Sequence, residues 1–590
     1  MGAALRLGPM LRQVTETSAT IWVETDAACS VTVTAAGHRA DAPTFTVHGH
    51  HYAVCELTGL PPGSAAPYEV QLDGVPVWPE AGSEYPPSLV RTLDNSAPVR
   101  ILFGSCHMAT DHSPETERTY GTDMLRAQAL RLADQRRAQG PGATAGAAEP
   151  TYLLLIGDQV YADELQPEMR QYLRESRAAP TATAGANPDR AAAEPPEDEV
   201  VFFDEYAELY RQAWTDPDIR WLLSTVPTLM LFDDHDIRDD WNTSGTWRRE
   251  IAENPWWAPR ITSGLGAYWI YQHLGNLSPE QRRADPVFGK VLAEDDAGGV
   301  VDAFAWCAHI DPYSYRWSHR HNVGNTRLVL IDTRCGRVVD DDRQRNILDR
   351  EERVWLDKQF TGDVDHLVIA STLPYLLPAS VHHLEAWNEA VCAGSWGSAL
   401  RGPGEKLRQA VDLEHWAAFQ RSFRWVADSI TQVAAGQRGA APASVLFLGG
   451  DVHFSYLARA RPRGRARRSG VEGVSTGTSG TAIAQLVSSP LRNRMPSLIG
   501  KLTRVAASPV AGAAAAVLAR LAGVRRPALA WRLDRGPWYG NVLATLSLSG
   551  RSAEVAWDQV APSGASAGAD APDTDARPEV HELARHRIAN

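Results

Sequence analysis

Residues 152–163 have the sequence YLLLIGDQVYAD, an apolar run that stops at a glycine and an aspartate. Three other segments share this pattern: ILFGSCH at 101–107, TLMLFDDHD at 228–236 and VLFLGGDVH at 445–453. A continuous apolar run predicts a strand that is buried on both faces, as in α/β proteins. Because a sheet fixes the ends of its strands, the polar side chains that follow these runs can converge on one point. The four segments therefore predict a metal site with more than one ion.

The side chains after the first two runs favour metal binding only in combination. Asp158 follows a predicted buried strand, where an ionised carboxylate is costly without a cation, although a lone aspartate there is more often a helix cap. Tyr161 as a phenolate is a hard ligand that suits Fe(III), although a buried tyrosine usually donates a single hydrogen bond. Cys106 as a thiolate prefers iron or zinc to calcium or magnesium, although most lone cysteines are small buried hydrophobes.

The other two runs add carboxylates and imidazoles. The three carboxylates within residues 233–236 repel one another unless cations lie between them, and Asp239 and Asp240 follow closely. Asp451 and His453 would point the same way from an extended segment. This set exceeds what one tetrahedral zinc binds and indicates two or more ions, one trivalent and tolerant of sulfur, the others oxygen-binding. Adjacent ions of this kind suit in-line displacement at phosphorus.

The length and charge of the chain limit its class. With 590 residues it exceeds one ordinary core, so two or more domains are expected. A net charge of −13 disfavours strong nucleic-acid binding and suits divalent cations. The first residues contain neither the apolar core of a signal peptide nor a twin-arginine pair, so we expect a cytoplasmic protein. The sequence sets no oligomeric state.

Membrane contact is expected at the surface at most. No apolar run is long enough for a transmembrane helix. Residues 505–523 are rich in alanine, valine and leucine and are flanked by Lys501, Arg504, Arg525 and Arg526. Such a helix could lie on an anionic membrane, pack over the main domain, or line the mouth of a substrate site.

Composition and pattern divide the chain into three parts. Residues 1–95 contain short alternating strands with turn signals and predict a small all-β domain of the immunoglobulin or fibronectin type, either a binding module or a structural cap. Residues 97–560 alternate strands with helices and predict an α/β main domain. The low-complexity inserts 139–150 and 178–198 are expected to be mobile and the tail 562–590 disordered.

The four motifs, in this order, resemble those of the PhoD-type alkaline phosphatases, which belong to the calcineurin-like metallophosphoesterases. In this chain they are Gly-Ser-Cys, Gly-Asp-x-x-Tyr-Ala-Asp, Asp-Asp-His-Asp and Gly-Gly-Asp-x-His. The resemblance covers residues 97–560, and a β-sandwich before the catalytic domain is also common in that family. It implies a four-layer α/β/β/α sandwich whose site holds one Fe(III) and two Ca²⁺ ions.

The resemblance also implies individual ligands and one departure. For iron they would be Cys106, Asp158, Tyr161 and His453, and for calcium Asp158, Asp234 and Asp451. His235 stands where the superfamily keeps a histidine near the leaving-group oxygen, where a proton donor would be useful. The family usually has asparagines four or five positions further on, where this chain has Asp239 and Asp240. Either could bind calcium with an altered metal preference, and Asp240 is taken as the candidate ligand.

An arginine and two histidines complete the candidates. Arg334 follows an apolar strand that ends just before Asp332. Its guanidinium could hold phosphate through two hydrogen bonds or simply pair with Asp332. His382 and His383 are expected on a loop, which could contact substrate but is more simply an ordinary surface loop.

These observations predict a metal-dependent phosphoesterase acting on small phosphomonoesters, phosphodiesters or both, with an alkaline optimum. A metal-bound hydroxide would attack phosphorus in line, with His235 and Arg334 as the catalytic side chains. Two alternatives stay open at this point. One is a calcium-stabilised binding protein without turnover, and the other is a metal-dependent nuclease.

Overall fold

A computed structural model describes residues 2–139, 149–178, 193–340, 342, 344–463, 480–494, 509–560 and 577–590. The strands in these residues are β1 (Leu5–Val14), β2 (Ser18–Thr25), β3 (Ser30–Ala35), β4 (His38–Pro43), β5 (Phe45–Val47), β6 (His50–Thr58), β7 (Ala65–Leu72), β8 (Val75–Trp78), β9 (Leu89–Arg91), β10 (Val99–Gly104), β11 (Tyr152–Ile156), β12 (Thr228–Leu231), β13 (His319–Val323), β14 (Thr326–Ile331), β15 (His366–Ser371), β16 (Ser444–Gly449), β17 (Ser455–Pro462), β18 (Ala482–Val487), β19 (Leu529–Trp538), β20 (Leu543–Ser549), β21 (Ser552–Val560) and β22 (Val580–Ala589).

Helices connect the strands of the main domain. The α-helices in the described residues span Pro114–Tyr120, Met124–Gln139, Pro167–Ala178, Phe203–Trp214, Pro217–Thr225, Gly245–Ile251, Trp257–Tyr268, Leu274–Asn276, Pro279–Ala284, Pro286–Val291, Gly298–Ile310, Arg350–Gln359, Ala379–Cys392, Arg401–Ala410, Gln420–Ala434 and Pro509–Leu521. Short 3-10 turns lie at Asp234–Asp236, Ser398–Leu400 and Trp416–Ala418, and a π-helical turn at Trp269–His273.

Strands β1 to β9 form a pair of antiparallel sheets within residues 2–139. One sheet has the order β1-β2-β6-β5 and the other β4-β3-β7-β8, with β9 paired to β7. Alternation along the strands sends one set of side chains inward, so that Ile21 of β2 and Val33 of β3 lie in the same core. The N-terminal region is therefore all β, as its sequence pattern indicates.

The later strands form a pair of mixed central sheets. The first has the order β12-β11-β10-β20-β21-β22, with β10, β11 and β12 parallel. The second has the order β13-β14-β15-β16-β18-β17-β19, with β14, β15, β16 and β18 parallel. Parallel neighbours need long crossover connections, which the helices between these strands supply. The carboxyl ends of β10, β11 and β12 therefore lie side by side.

Alternate residues of the central strands face different cores. Ile101 and Leu154 of the first sheet share a core with Leu446 of the second, so the two sheets pack face to face. On the outer sides, Leu153 belongs to a core formed with the helices that cover the first sheet, and Phe447 to a core with those that cover the second. The layers are helix, sheet, sheet and helix, which confirms the four-layer α/β/β/α sandwich.

A buried arginine joins the N-terminal sheets to the main domain. The guanidinium of Arg12 donates to the carbonyl oxygens of Tyr271 at 3.2 Å and Gln272 at 2.6 Å. Both acceptors lie in the π-helical turn Trp269–His273. The side chain of Gln272 in turn donates to Asp236 Oδ1 at 3.2 Å. The N-terminal region therefore supports the element that holds the aspartate run after β12.

The C-terminal tail departs from the sequence expectation. Val580–Ala589 forms β22, which pairs antiparallel with β21. The expected disorder over 562–590 is wrong for this segment. Half of its sequence VHELARHRIA is polar, but the backbone hydrogen bonds of an edge strand hold it, and Ile588 is buried in the core. Residues 561–576 lie outside the described part of the chain.

Other segments named in the sequence analysis are covered only in part. The inserts 139–150 and 178–198 fall mostly outside the described residues, so their expected mobility stays a prediction. Of residues 505–523, the described part forms the helix Pro509–Leu521. In the described ranges, no helix combines the length and the apolar composition that a membrane crossing requires.

Candidate metal centre

The four motifs end on loops that meet at one edge of the sandwich. Cys106 follows β10, Asp158 follows β11, Asp233 follows β12 and Asp451 follows β16. The backbone N–H of Cys106 donates to the carbonyl of Gly157 at 3.2 Å, which ties the first two loops together. The backbone N–H of Asp451 donates to Ser105 Oγ at 3.0 Å, which ties the second sheet to the first. The side chains after the four apolar runs are thus gathered from both sheets.

The backbone of this region adopts unusual conformations. Cys106, Asp158, Asp451 and His453 have φ values of 57°, 50°, 64° and 55°. The left-handed region costs a non-glycine residue roughly 1–3 kcal/mol, and such residues concentrate at functional sites. Gly450 precedes Asp451, and a Cβ at this glycine would collide with the Ser105 side chain. The close approach of the loops therefore requires both the strained residues and a glycine.

Three buried carboxylates form the centre of the cluster. Oxygen atoms of Asp158, Asp233 and Asp234 lie within 4.8 Å of one another. The three residues are 1%, 0% and 4% exposed. Within the described structure, Asp158 Oδ1 and Asp233 Oδ2 accept no hydrogen bond. Burial raises the pKa of Asp158 and of Asp234 well above the usual carboxyl range, because charged carboxylates are poorly solvated there. A cation among these oxygens would remove this penalty, so the residues fit a metal site.

Cys106 lies directly beside this carboxylate cluster. Its Sγ is 3.3 Å from Asp158 Oδ2 and 3.6 Å from the carbonyl oxygen of Asp451. The hydroxyls of Ser105 and Ser489 each lie 3.3 Å from the sulfur. Burial, and then the charge of Asp158, raise the pKa of the thiol well above its usual value. The thiol is therefore protonated without a cation, and a bound soft-tolerant metal would displace that proton.

Tyr161 approaches the same point from the loop after β11. Its side chain is buried, and its hydroxyl accepts a hydrogen bond from Asn493 Nδ2 at 3.1 Å. Its ring centroid lies 4.7 Å from that of His235. Burial, and then the nearby Cys106 and Asp158, raise the pKa of the phenol well above 10. The hydroxyl is therefore close enough to Cys106 and Asp158 for their charges to act on it.

His235 is held by a carboxylate that the sequence analysis left unassigned. Its Nδ1 lies 3.0 Å from Asp163 Oδ1, and its Nε2 lies 3.8 Å from Asp239 Oδ1. Burial disfavours the charged imidazole, but Asp163 outweighs burial and raises the pKa of His235 well above its ordinary value. A histidine fixed by a carboxylate at Nδ1 presents Nε2 to a reacting group.

Asp451 takes part in a relay through a second histidine. His415 Nε2 lies 3.0 Å from Asp451 Oδ2, and His415 Nδ1 lies 2.8 Å from Glu385 Oε1. Glu385 lies on the helix Ala379–Cys392 and is fully buried. Nothing in the sequence pairs these residues, because they are separated by 30 and 36 positions. The arrangement fixes the orientation of a candidate ligand from outside the metal site.

Arg334 is enclosed by acidic side chains. Its guanidinium donates to Asp233 and to Glu414, the latter at 2.6 Å, and its Nη2 lies 2.9 Å from Asp234 Oδ1. The side chain is 0% exposed. The alternative of a simple pair with Asp332 is wrong, because that carboxylate instead accepts backbone N–H groups, among them Gly336 at 2.8 Å. Arg334 therefore neutralises part of the aspartate run.

The two remaining candidates lie at the rim. The backbone N–H of Asp240 donates to Asp234 Oδ2 at 3.0 Å, and burial raises the Asp240 pKa to about 8. The backbone N–H of His453 donates to Ser489 Oγ at 3.2 Å. Burial lowers the pKa of His453 to about 4, so the imidazole is neutral at ordinary pH and able to bind a metal. Asp240 therefore adjoins Asp234, and the His453 ring lies within electrostatic range of Asp451 and His235.

The histidines His382 and His383 do not lie on a loop. Both belong to the helix Ala379–Cys392. The ring of His382 is buried, with its centroid 4.6 Å from that of Phe423. The expectation of a loop is wrong because apolar and small residues along this segment pack at helical spacing. His382 is a core residue, and the substrate contact considered for it is not supported.

Several residues of the site were not assigned individually from the sequence. They are Asp163, Asp233, Glu385, Glu414 and His415. Two of these lie inside quoted motifs: Asp163 ends Gly-Asp-x-x-Tyr-Ala-Asp, and Asp233 begins Asp-Asp-His-Asp. The motifs were therefore a usable signal for them. The other three come from long connections that carry no comparable pattern.

An α/β/β/α sandwich with a buried thiol, a buried phenol, buried carboxylates and partly buried imidazoles at its strand ends defines a metal-dependent phosphoesterase. The sequence model of the PhoD-like phosphatase family matches residues 142–506, and the model of a domain of unknown function (DUF7800) matches residues 2–90. The chain belongs to the PhoD-like phosphatase family and is a hydrolase acting on phosphoester bonds. Cys106 lies outside the matched residues, so its assignment depends on its position beside Asp158.

Matches to solved structures were also found. The structure of PhoD is 12% identical, with a TM-score of 0.57, and the match covers 100% of this chain and 90% of that chain. The purple acid phosphatase PPD1 from seeds of yellow lupin (Lupinus luteus) is 11% identical, with a TM-score of 0.42, and the match covers 93% of this chain and 71% of that chain. No curated protein matches this chain in sequence.

Proposed function

We propose that this chain hydrolyses small phosphomonoesters, phosphodiesters or both at a mixed centre of Fe(III) and Ca²⁺. The observation that carries the proposal is the pair of buried oxygens, Asp158 Oδ1 and Asp233 Oδ2, that accept no hydrogen bond from any described residue. Buried polar atoms are nearly always paired, so an unpaired carboxylate pair favours a cation. The proposed ligands are Cys106, Asp158, Tyr161, Asp234, Asp240, Asp451 and His453, together with Asp233.

The chemistry of the donors supports two kinds of ion. Thiol, phenol and imidazole donors come from Cys106, Tyr161 and His453, a set that suits trivalent iron. Carboxylate oxygens from the aspartate run and Asp451 suit calcium. Asp158 adjoins both groups and could bridge them. When bound, such ions would activate water and neutralise phosphoryl oxygens.

The side chains of this chain would orient the reaction. In-line displacement places the attacking water and the leaving oxygen on opposite sides of phosphorus. His235 would donate a proton from Nε2 to the leaving oxygen, since Asp163 holds Nδ1 at 3.0 Å. Asp163 therefore acts as a positioning residue that fixes the tautomer and the ring plane of His235.

Arg334 is given a different role from the one expected at first. A phosphate clamp needs a guanidinium that can reach substrate, whereas that of Arg334 is fully buried and engaged by Asp233, Asp234 and Glu414. Breaking these contacts to bind phosphate would leave buried carboxylates without a partner, at a cost of about 3–5 kcal/mol. We propose that Arg334 holds the aspartates in place and does not contact the substrate.

Hydrolysis of chromogenic esters tests the activity. p-Nitrophenyl phosphate and bis(p-nitrophenyl) phosphate would report mono- and diesterase turnover between neutral and alkaline pH. We expect turnover that rises toward alkaline pH, is lost with a chelator and returns with added Ca²⁺. Turnover that persists in chelator would contradict the metal-dependent mechanism.

Tyr161→Phe tests the iron site without relying on turnover. Protein purified with iron, confirmed by elemental analysis, should show a visible iron–phenolate absorption that this variant loses. Tyr375→Phe is the matched control, because Tyr375 is equally buried and its hydroxyl donates to the carbonyl of Phe423 at 2.7 Å. A calcium-stabilised protein without turnover would show neither the absorption nor hydrolysis.

A further inference from the structure

The helix Pro509–Leu521 packs on the main domain with small residues inward and most of its large apolar residues outward. Its small residues face inward: Ala519 is 2% exposed, and a Cβ at Gly512 would lie 3.4 Å from the Ala379 side chain. Three of its four large apolar residues face outward: Val510, Val517 and Leu521 are 80%, 53% and 71% exposed, whereas Leu518 is partly buried. A surface helix of a soluble protein normally buries its large apolar side chains and exposes polar ones. The exposed apolar face of this helix therefore needs an apolar partner.

The outward residues form one continuous stripe. Val517 and Leu521 lie seven and eleven positions after Val510, which places all three on one side of the helix. Ala513 and Ala514, also exposed, fill the space between them. The helix contains no acidic residue. The stripe is about three turns long and apolar throughout.

A cluster of arginines lies beside the helix. Arg463, Arg520, Arg525 and Arg526 are exposed and line one depression together with Ala516 and Ala519 of the helix. Among residues whose placement is described, no carboxylate forms an ion pair with any of the four. The pKa of Arg463 is lowered by burial and then by Arg526 and Arg520, which shows that the like charges are close together. This local positive charge contrasts with the net charge of −13 for the whole chain.

We propose that this face docks on an anionic lipid bilayer. Val510, Val517 and Leu521 would enter the interfacial layer, while Arg520, Arg525 and Arg526 would contact lipid phosphates. An exposed apolar stripe beside arginines is the pattern of a helix that lies in the plane of a membrane. An acidic protein partner would account for the arginines, but it would not account for the exposed apolar stripe.

One helix connects the proposed docking face to the surroundings of the candidate metal centre. The supporting helix Ala379–Cys392 contacts the stripe helix through Ala379 and borders the arginine cluster through His383. The same helix carries Glu385, whose carboxylate lies 2.8 Å from His415. Docking does not depend on the proposed hydrolysis, so the two proposals are tested separately.

Co-sedimentation of the full chain with vesicles tests the docking. We expect binding to vesicles of phosphatidylcholine mixed with phosphatidylglycerol, release by high salt, and no binding to phosphatidylcholine alone. Arg520→Glu with Arg526→Glu should weaken binding by about tenfold or more, because each arginine near an anionic surface contributes about fivefold. Val517→Ser with Leu521→Ser should weaken it by a similar factor. Hydrolysis of a soluble ester should be unchanged in both double variants.

Matched controls lie elsewhere on the surface. Leu292→Ser removes an apolar side chain that is 54% exposed, and Arg249→Glu reverses an exposed charge. Both should bind vesicles as the unaltered chain does. The proposal is overturned if the unaltered chain fails to bind, if it binds both vesicle types equally, or if only one of the two double variants weakens binding. It is also overturned if Val517→Ser with Leu521→Ser dissolves an oligomer, since the stripe would then be an interface between copies.

Discussion

His415 Nε2 lies 3.0 Å from Asp451 Oδ2, and the opposite nitrogen of the same ring lies 2.8 Å from Glu385 Oε1. The imidazole therefore links a fully buried glutamate to a candidate calcium ligand and fixes the orientation of that ligand. Carboxylate–histidine pairs behind a metal ligand usually tune both its orientation and its basicity. Disturbing the Glu385–His415–Asp451 contacts therefore tests whether Asp451 is a metal ligand.

Glu385→Gln should weaken Ca²⁺ binding by about 10–100-fold, because His415 would lose the carboxylate that orients it. Calcium titration of the purified protein, followed by calorimetry, measures the effect directly. Glu389→Gln is the control: Glu389 lies one turn later on the same helix and accepts from the backbone N–H of Gln420 at 3.1 Å. Equal losses of affinity in the two variants would mean that the helix, and not the relay, determines the effect.

Asp163→Asn should slow hydrolysis most for esters with poor leaving groups. Alkyl phosphates need protonation of the leaving oxygen, whereas p-nitrophenolate leaves readily without it, so a disturbed His235 affects the former by about 100-fold or more. The measurement is kcat/KM for an alkyl and a p-nitrophenyl ester side by side. Glu164→Gln, an exposed neighbour, should change neither value. A uniform loss for both esters would argue against proton donation by His235.

Arg334→Met should destabilise the fold by about 3–5 kcal/mol, because Asp233, Asp234 and Glu414 would lose their shared cation. Urea unfolding measures the change in the free energy of unfolding. Arg334→Lys should lose less, since it keeps the charge but not the forked geometry. If Arg334→Met instead kept its stability and only raised KM, the guanidinium would be a phosphate clamp after all.

The apolar runs made much of the fold predictable. Each run is too continuous for a half-exposed strand, and the structure places them in β10, β11, β12 and β16. The helix Phe203–Trp214 also has a local signal, since its apolar residues recur at helical spacing. Strong periodicity and long apolar runs are local signals, so they can be read from the sequence without knowledge of the fold.

Contacts between residues that are far apart in the chain could not be predicted from the sequence. Arg334 meets Glu414 and Asp233, 80 and 101 positions away, and nothing in the local pattern selects these partners over Asp332. The edge strand β22 is similar, because backbone hydrogen bonds to β21 stabilise it without any apolar alternation. These features depend on which elements become neighbours, and that depends on the whole fold.

Glu352 gives a prediction for pH that is independent of the metal centre. This residue lies in the first turn of the helix Arg350–Gln359, and its carboxyl is buried. Burial raises its pKa from 4.5 to about 8, although Ser318 opposes the shift with a hydrogen bond. The folded state therefore holds a proton that the unfolded state releases at a lower pH. The stabilising effect of this proton is complete below about pH 4.5 and declines as the pH rises toward 8.

Glu352→Gln removes that titration and keeps the shape of the side chain. We expect this variant to gain stability relative to the unaltered chain as the pH rises, by a few kcal/mol at about pH 8 and by little at about pH 4.5. Thermal unfolding across this range measures the difference in Tm. Glu351→Gln, which alters an exposed neighbour, should show a small difference that does not grow with pH. A constant difference in Tm for Glu352→Gln would show that the buried carboxyl has an ordinary pKa and that its surroundings are better solvated than the packing indicates.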